Sequence, residues 1–150
     1  MMIRTAGLIC GLLLASGALA ADLVPDPAAI KYGPVPTAFP AGATIAVLSG
    51  NPFAAGDYVL RLKMPDGYVI PAHHHPTTEN VTVVSGVFYA GMGDRLDKAA
   101  AAPFVPGGFA ALPAGMNHFA WAKGDTIVQV HGKGPFEITY VDPKDDPRNK

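Results

Sequence analysis

Glycine and proline divide this chain into short apolar segments, and this pattern constrains the fold more than any other feature. Seventeen glycines and fifteen prolines separate runs that are rich in Val, Ile, Leu, Phe and Tyr. Short apolar runs bounded by turn residues are typical of an all-β sandwich or barrel. The predicted strands are 43–49, 57–64, 68–75, 79–85, 87–92, 109–113, 117–122, 125–132 and 137–141. Two short helical turns are also predicted, one after Asp26-Pro27 and one from Asp94.

The first twenty residues have the pattern of a secretory signal peptide. Arg4 supplies the basic start, residues 6–14 are apolar, and Ala18-Leu19-Ala20 forms a small-x-small cleavage site. An uncleaved membrane anchor is the alternative, but the apolar run is shorter than the ~20 residues of a spanning helix. We therefore predict cleavage between Ala20 and Ala21, and a periplasmic or secreted protein without a membrane attachment.

The mature chain has the length of one ordinary domain. We predict an extended, proline-rich N-terminal arm over residues 21–42, a β-barrel over 43–141 and a flexible, charged tail over 142–150. The formal net charge is −1, and Lys and Arg are scattered rather than clustered. This distribution argues against a nucleic-acid partner and favours a small molecule.

Histidine and glutamate form the one cluster that points to chemistry. Side chains alternate between the faces of a strand, so His73 and His75 share a face and His74 takes the other. A turn at 76–78 would return Glu79 to them, and His118 is the best distant partner. Cys10, the only cysteine, lies in the predicted signal peptide, so a metal site must use imidazole and carboxylate. The alternative is an exposed polar loop.

The spacing of these residues decides against a loop. Residues 67–86 contain G-x5-H-x-H-x3-E-x6-G, and residues 107–118 contain G-x5-P-x-G-x2-H. The two patterns resemble the first and second conserved motifs of the cupin superfamily, except that Ala122 stands where the second motif usually ends in Asn. The resemblance implies a jelly-roll β-barrel, metal ligands at His73, His75, Glu79 and His118, and a homodimer.

Three imidazoles and one carboxylate suit one divalent transition metal, namely Mn, Fe, Co, Ni, Cu or Zn. Four protein ligands would leave two positions of an octahedral ion free. The inward face of strand 57–64 and two further positions supply candidate pocket residues, for which core packing is the alternative. They are Tyr58, Leu60, Met64, Tyr89 and Gln129. His131 shares the face of Gln129 and is a candidate for orienting a bound water or acting as a general base, or else a surface histidine.

These observations predict an exported metal-binding protein and favour a metal-dependent enzyme that acts on a small molecule, with an oxygen-using reaction preferred. The alternative is a periplasmic sensor or carrier without turnover, similar to the zinc-binding cupin domain of certain anti-sigma factors. A purely structural β-domain would require the four ligands to be accidental. The fold alone does not choose between these functions.

Overall fold

The computed structural model describes residues 22–150, and the predicted signal peptide lies outside them. The described residues form nine strands in one antiparallel sheet. The strands are β1 (Gly33–Pro34), β2 (Thr44–Gly50), β3 (Gly56–Met64), β4 (Val69–His74), β5 (Glu79–Met92), β6 (Ala102–Phe104), β7 (Phe109–Leu112), β8 (His118–Gly134) and β9 (Thr139–Tyr140).

The long strand β8 organises the sheet because it pairs with three others. Its first residues pair with β4, its later residues pair with β3, and β5 runs along it from His118 to His131. Strands β6 and β7 extend the sheet on the other side of β5. This arrangement confirms the predicted all-β class and the jelly-roll barrel.

Alternate side chains of the central strands fill the barrel. On β3, the predicted inward set of Tyr58, Leu60, Leu62 and Met64 is buried, whereas Arg61 is partly exposed. Val128 and Val130 of β8 are buried on the same inner side. The period of two in the sequence therefore produces one apolar interior.

Register shifts in β4 and β5 change which side chains face inward. In β4 the shift falls between Ile70 and His73, and in β5 two shifts flank Ser85. Gly86, beside these shifts, has φ of 78°, a conformation that glycine adopts without strain. A Cβ at Gly86 would collide with Thr126 and Asp125 of β8. The second shift therefore needs glycine for both its backbone angle and its close approach.

Several predicted boundaries differ from the structure. The predicted strands 79–85 and 87–92 are joined in β5, and 117–122 and 125–132 are joined in β8. The helical turn predicted from Asp94 is wrong. Asp97 instead caps a non-helical turn, because its carboxylate accepts the amide hydrogen of Ala99 at 2.9 Å, and β6 follows. The turn after Asp26 is confirmed as a 3₁₀ turn over Pro27–Ala29.

The two ends of the described chain both contact the barrel. In the predicted arm, β1 pairs with β2, and the Asp22 carboxylate accepts a hydrogen bond from Ser49 at 2.6 Å. In the predicted flexible tail, Arg148 donates to the carbonyl of Ile138 at 3.1 Å. The flexibility of this tail stays a prediction. Between residues 22 and 150, the structure contains no helix with the length and apolar character needed to cross a membrane.

Candidate metal centre

The four predicted ligands meet inside the barrel because three strands begin or end there. His73 lies near the end of β4 and pairs with His118 at the start of β8, while Glu79 begins β5. His75 follows β4 directly. All four side chains are buried, and the exposed fraction of each residue is 8% or less. The register shift in β4 is what aims His73 inward, since Ile70 also lines the interior.

The main chain orients each of the three imidazoles. The Nδ1 atoms of His73, His75 and His118 lie 2.7, 2.6 and 2.9 Å from the carbonyl oxygens of Pro71, Glu137 and Met116 respectively. A carbonyl oxygen only accepts, so each Nδ1 carries a hydrogen and donates it. In the neutral ring this leaves Nε2 as an unprotonated donor of an electron pair. Metal-binding histidines are oriented in this way.

The three ring nitrogens converge on one point. One nitrogen from each histidine lies within 4.8 Å of the other two. Within the part of the chain that the structure describes, the buried Nε2 atoms of His75 and His118 have no hydrogen-bond partner, and each lies 3.5 Å from Oε2 of Glu79. Facing electron pairs repel unless a positive species lies between them. The donor set therefore fits one divalent transition metal, which the three histidines can hold, and Glu79 stays the predicted fourth ligand.

The burial and close spacing of these side chains also shift their pKa values. Burial, followed by the neighbouring His118 and His75, lowers the pKa of His73 to about 3. Burial alone would lower the pKa of His75, but the Glu79 carboxylate outweighs it and raises that pKa. Burial would raise the pKa of Glu79, yet His75 and His118 hold it below its usual range. At neutral pH the Glu79 carboxylate is therefore anionic and the His73 ring is neutral.

A small apolar cavity adjoins the four predicted ligands. Its volume is about 30 Å³, which is room for about two water-sized molecules. Twelve apolar residues line it together with the ligands: Phe39, Leu60, Leu62, Ile70, Val81, Phe88, Ala90, Leu112, Ala120, Val128, Val130 and Phe136. Of the predicted pocket residues, Leu60 lies in this wall. The cavity would bind small or compact molecules and exclude bulk water.

The other predicted pocket residues lie elsewhere. Tyr58 and Met64 are buried in the barrel but do not line this cavity. The inward placement of Tyr89 is wrong, since its ring stacks on Trp121 on the outer face, with centroids 3.9 Å apart. The inward placement of Gln129 is also wrong, because its side chain accepts a hydrogen bond from Arg61 outside the barrel at 3.2 Å.

His131 follows Gln129 to the outer face. It lies in an open surface depression of about 640 Å³ that also contains Asn80, Thr77 and Lys133. The predicted roles of orienting a bound water or acting as a general base beside the metal therefore have no geometric support. His74 faces away from the centre as predicted, with Nδ1 3.0 Å from the side-chain oxygen of Asn117.

Two aromatic residues of the site were missed at the level of sequence. Phe136 stacks on His75, with centroids 4.7 Å apart and planes 22° apart. Phe39 stacks in turn on Phe136 at 6.1 Å. Phe39 belongs to the predicted arm and Phe136 to a loop between β8 and β9, so neither falls in a motif or in an alternating strand. Only the folded chain brings them to the ligands.

No protein-family model and no curated protein matches this sequence. Among solved structures, an RmlC-like cupin from Shewanella frigidimarina is similar over 72% of this chain and 86% of its own, with a TM-score of 0.56 and 14% identity. The chain has the cupin fold. The ligands implied by the cupin motifs are thus the same residues that converge in the barrel.

Two further solved structures are similar to this chain. The polyketide cyclase RemF from Streptomyces resistomycificus has a TM-score of 0.65 and 18% identity, over 80% of this chain and 85% of that one. A candidate acetylacetone dioxygenase from Methylibium petroleiphilum has a TM-score of 0.63 and 17% identity, over 97% of this chain and 90% of that one. At such identities the likeness establishes the fold alone.

Proposed function

We propose that this cupin is an exported, metal-dependent enzyme that acts on a small oxygen-containing molecule, with an oxygen-using reaction favoured. The observation that carries the proposal is the convergence of three anchored imidazoles and a buried carboxylate on one apolar cavity. A divalent ion there would polarise a substrate oxygen and, if redox-active, would exchange electrons with dioxygen. Buried unpaired nitrogens are costly in a purely structural domain, which argues against that alternative.

Small dicarbonyl compounds are the substrate class that we propose to test first. Two similar folds are described as a polyketide cyclase and a candidate acetylacetone dioxygenase, so both names refer to carbonyl chemistry. Acetylacetone is a 1,3-diketone, and its two oxygens suit a centre with free coordination positions. The apolar wall around Leu60 and Val130 would contact the carbon skeleton and keep water away.

Phe39 and Phe136 would control access to the centre. Both line the inner cavity and also a surface pocket of about 330 Å³. A diketone needs more space than the inner cavity of about 30 Å³ offers. We therefore propose that this aromatic pair moves aside when substrate enters from the surface pocket.

The deciding experiment is elemental analysis of the protein from its natural compartment, followed by oxygen uptake with that metal. The substrate panel contains 1,3-diketones, phenols, sugars and small organic acids. We expect one equivalent of metal and consumption of dioxygen with at least one compound. The matched control is His131→Ala, because this surface histidine should leave uptake unchanged. Metal-loaded protein that turns over no compound would contradict the enzymatic function.

A binding module without turnover is the second candidate, and the small volume of the cavity favours it. About 30 Å³ suits a metal ion with one or two small ligands better than an organic substrate. This candidate predicts tight metal binding, with stabilisation of the fold but no catalysis. Thermal melting with and without metal, beside the oxygen-uptake screen, separates the two functions.

Export and dimerisation are also part of the proposal. The predicted cleavage between Ala20 and Ala21 is checked by N-terminal sequencing of the protein recovered from the periplasm or medium. The predicted homodimer is checked by light scattering on the mature protein. An intact N-terminus in the exported fraction would contradict cleavage, and a monomeric mass would contradict the dimer.

A further inference from the structure

Three polar side chains form a hydrogen-bonded chain on the outer wall of the barrel, behind the metal centre. Asn117 is in the middle, because its side-chain nitrogen donates to Asp94 Oδ1 at 2.8 Å and its side-chain oxygen lies 3.0 Å from His74 Nδ1. A carboxylate oxygen only accepts, so the amide nitrogen of Asn117 faces Asp94 and the amide oxygen faces His74. His74 Nδ1 therefore carries a hydrogen and donates it to Asn117.

This chain of side chains connects the two segments that carry the converging imidazoles. His74 lies between the predicted ligands His73 and His75, and Asn117 directly precedes His118. The three ligand nitrogens lie within 4.8 Å of one another on the inner side. One hydrogen bond on the outer side, from His74 to Asn117, thus ties the segments together behind the site.

The main chain alone joins these segments only weakly. The pairing of β4 with β8 is interrupted by a register shift after Ile70, and His73 and His118 form the single pair beyond it. A bond between side chains contributes most where the ladder is interrupted. Asn117 is itself held in place, since its carbonyl oxygen accepts the amide hydrogen of Gly93, directly after β5, at 2.9 Å.

We propose that Asn117 is a positioning residue of the metal centre, which holds His118 at the spacing from the other two imidazoles that one metal ion requires. The inference rests on the proposed metal-dependent function and deepens it, because it assigns part of the metal affinity to a side chain that faces away from the metal. Among residues 22–150, the Nε2 atoms of His75 and His118 have no hydrogen bond that could fix the distance between their rings. Ligands that are already in place bind a metal more tightly than ligands that the metal must first order.

The test compares Asn117→Ala with the matched control Asn80→Ala in the mature chain, with Co²⁺ as the probe. Asn80 also adjoins a predicted ligand, Glu79, but its side chain donates to the main-chain carbonyl of His131, at the far end of β8, at 3.2 Å. For Asn117→Ala we expect Co²⁺ to bind about tenfold more weakly, as for the loss of an outer partner that orients a ligand. The visible absorption spectrum of the saturated Co²⁺ form should also change. For Asn80→Ala we expect unchanged affinity and the wild-type spectrum.

A double-mutant cycle with His74→Ala tests whether the bond between the two side chains carries the effect. We expect His74→Ala to weaken Co²⁺ binding as well. The double variant Asn117→Ala/His74→Ala should then bind Co²⁺ no more weakly than Asn117→Ala alone, because both substitutions remove the same bond. Competition with a chelator measures the affinity of all four variants and of the wild type.

Four outcomes would overturn the inference. They are equal Co²⁺ affinity in wild type and Asn117→Ala, an equal loss in Asn80→Ala, losses that multiply in the double variant, or weaker binding by Asn117→Ala with the wild-type spectrum, which would indicate lower stability and not a displaced ligand. Wild-type protein that binds no Co²⁺ would contradict the proposed function and the inference together. If affinity depends on Asn117 as expected but no compound consumes dioxygen, only the enzymatic function fails.

Discussion

The two faces of β8 carry one histidine each, and the two histidines differ in every property that matters for binding a metal. On the inner face, His118 is 2% exposed, its Nδ1 is held by a carbonyl oxygen, and its Nε2 has no hydrogen-bond partner among residues 22–150. On the outer face, His131 borders an open depression among polar side chains. A histidine is thus placed to bind a metal when the fold gives one ring nitrogen a hydrogen-bond partner and leaves the other nitrogen available.

The largest expected difference between the faces is in metal affinity. His118→Ala removes one of three converging nitrogens, so we expect metal affinity to fall by at least about 100-fold and the bound metal to drop far below one equivalent. His131→Ala, on the same strand, should retain full metal content. Isothermal titration and elemental analysis of both variants measure the effect. Equal loss in the two variants, or in neither, would contradict the contrast between the faces.

The next effect concerns Gly86, which lies beside the register shifts of β5. Gly86→Ala combines a positive φ with a Cβ that collides with Thr126 and Asp125, so we expect a loss of about 3 kcal/mol in the free energy of unfolding. Gly124→Ala has a similar φ of 70° but open space around its Cβ, so it should lose only about 1 kcal/mol.

Urea denaturation of both glycine variants provides the measurement. If the losses are equal, backbone strain alone explains why glycine is needed at position 86, and the close contact with β8 does not matter. A smaller loss for Gly86→Ala than for Gly124→Ala would show that β5 shifts its register to relieve the collision.

The four residues that converge in the barrel could be predicted from sequence, but the outer and inner faces of the strands could not be assigned throughout. His73, His75, Glu79 and His118 follow from motif spacing, which holds whatever the strand boundaries are. The face of His131, in contrast, can be found only by counting alternate residues along its strand. If 117–122 and 125–132 are treated as separate strands, the faces of the two cannot be related. In one continuous β8, His118 and His131 lie an odd number of residues apart, thirteen, and therefore on opposite faces.

Tyr89 shows that counting alternate residues also fails within one continuous strand. Counting by twos from Glu79 would place it inside, but the register shifts around Ser85 turn Phe88 and Ala90 inward instead. A one-residue slip exchanges the faces of all later residues in a strand. The position of such a shift depends on contacts with β8, which the local sequence does not reveal.

The third prediction concerns pH. Protonation of His75 should stabilise the metal-free fold but weaken metal binding. In the metal-free protein, the raised pKa of His75 stabilises the fold below the ordinary value of about 6.5, and this contribution is lost as pH rises through the raised pKa. Metal binding requires the neutral ring, so affinity should instead rise with pH, by about tenfold per unit while one proton is displaced. Competition titrations with a chelator at several pH values between 6 and 8 check this slope. A flat profile would contradict ligation by His75.

The smallest expected effect is a difference in unfolding free energy between variants of Gln129 and Val128, which are neighbours on opposite faces of β8. The bond between Arg61 and Gln129 is partly exposed, so Gln129→Ala should cost only about 0.5 to 1 kcal/mol of unfolding free energy. Val128 is 1% exposed and lines the cavity, so Val128→Ala should cost about 1 to 3 kcal/mol through lost burial and the space it opens. Urea denaturation measures both, and titration should find metal affinity unchanged in Gln129→Ala. A larger loss from Gln129→Ala would mean that the outer face, and not the apolar interior, holds these strands together.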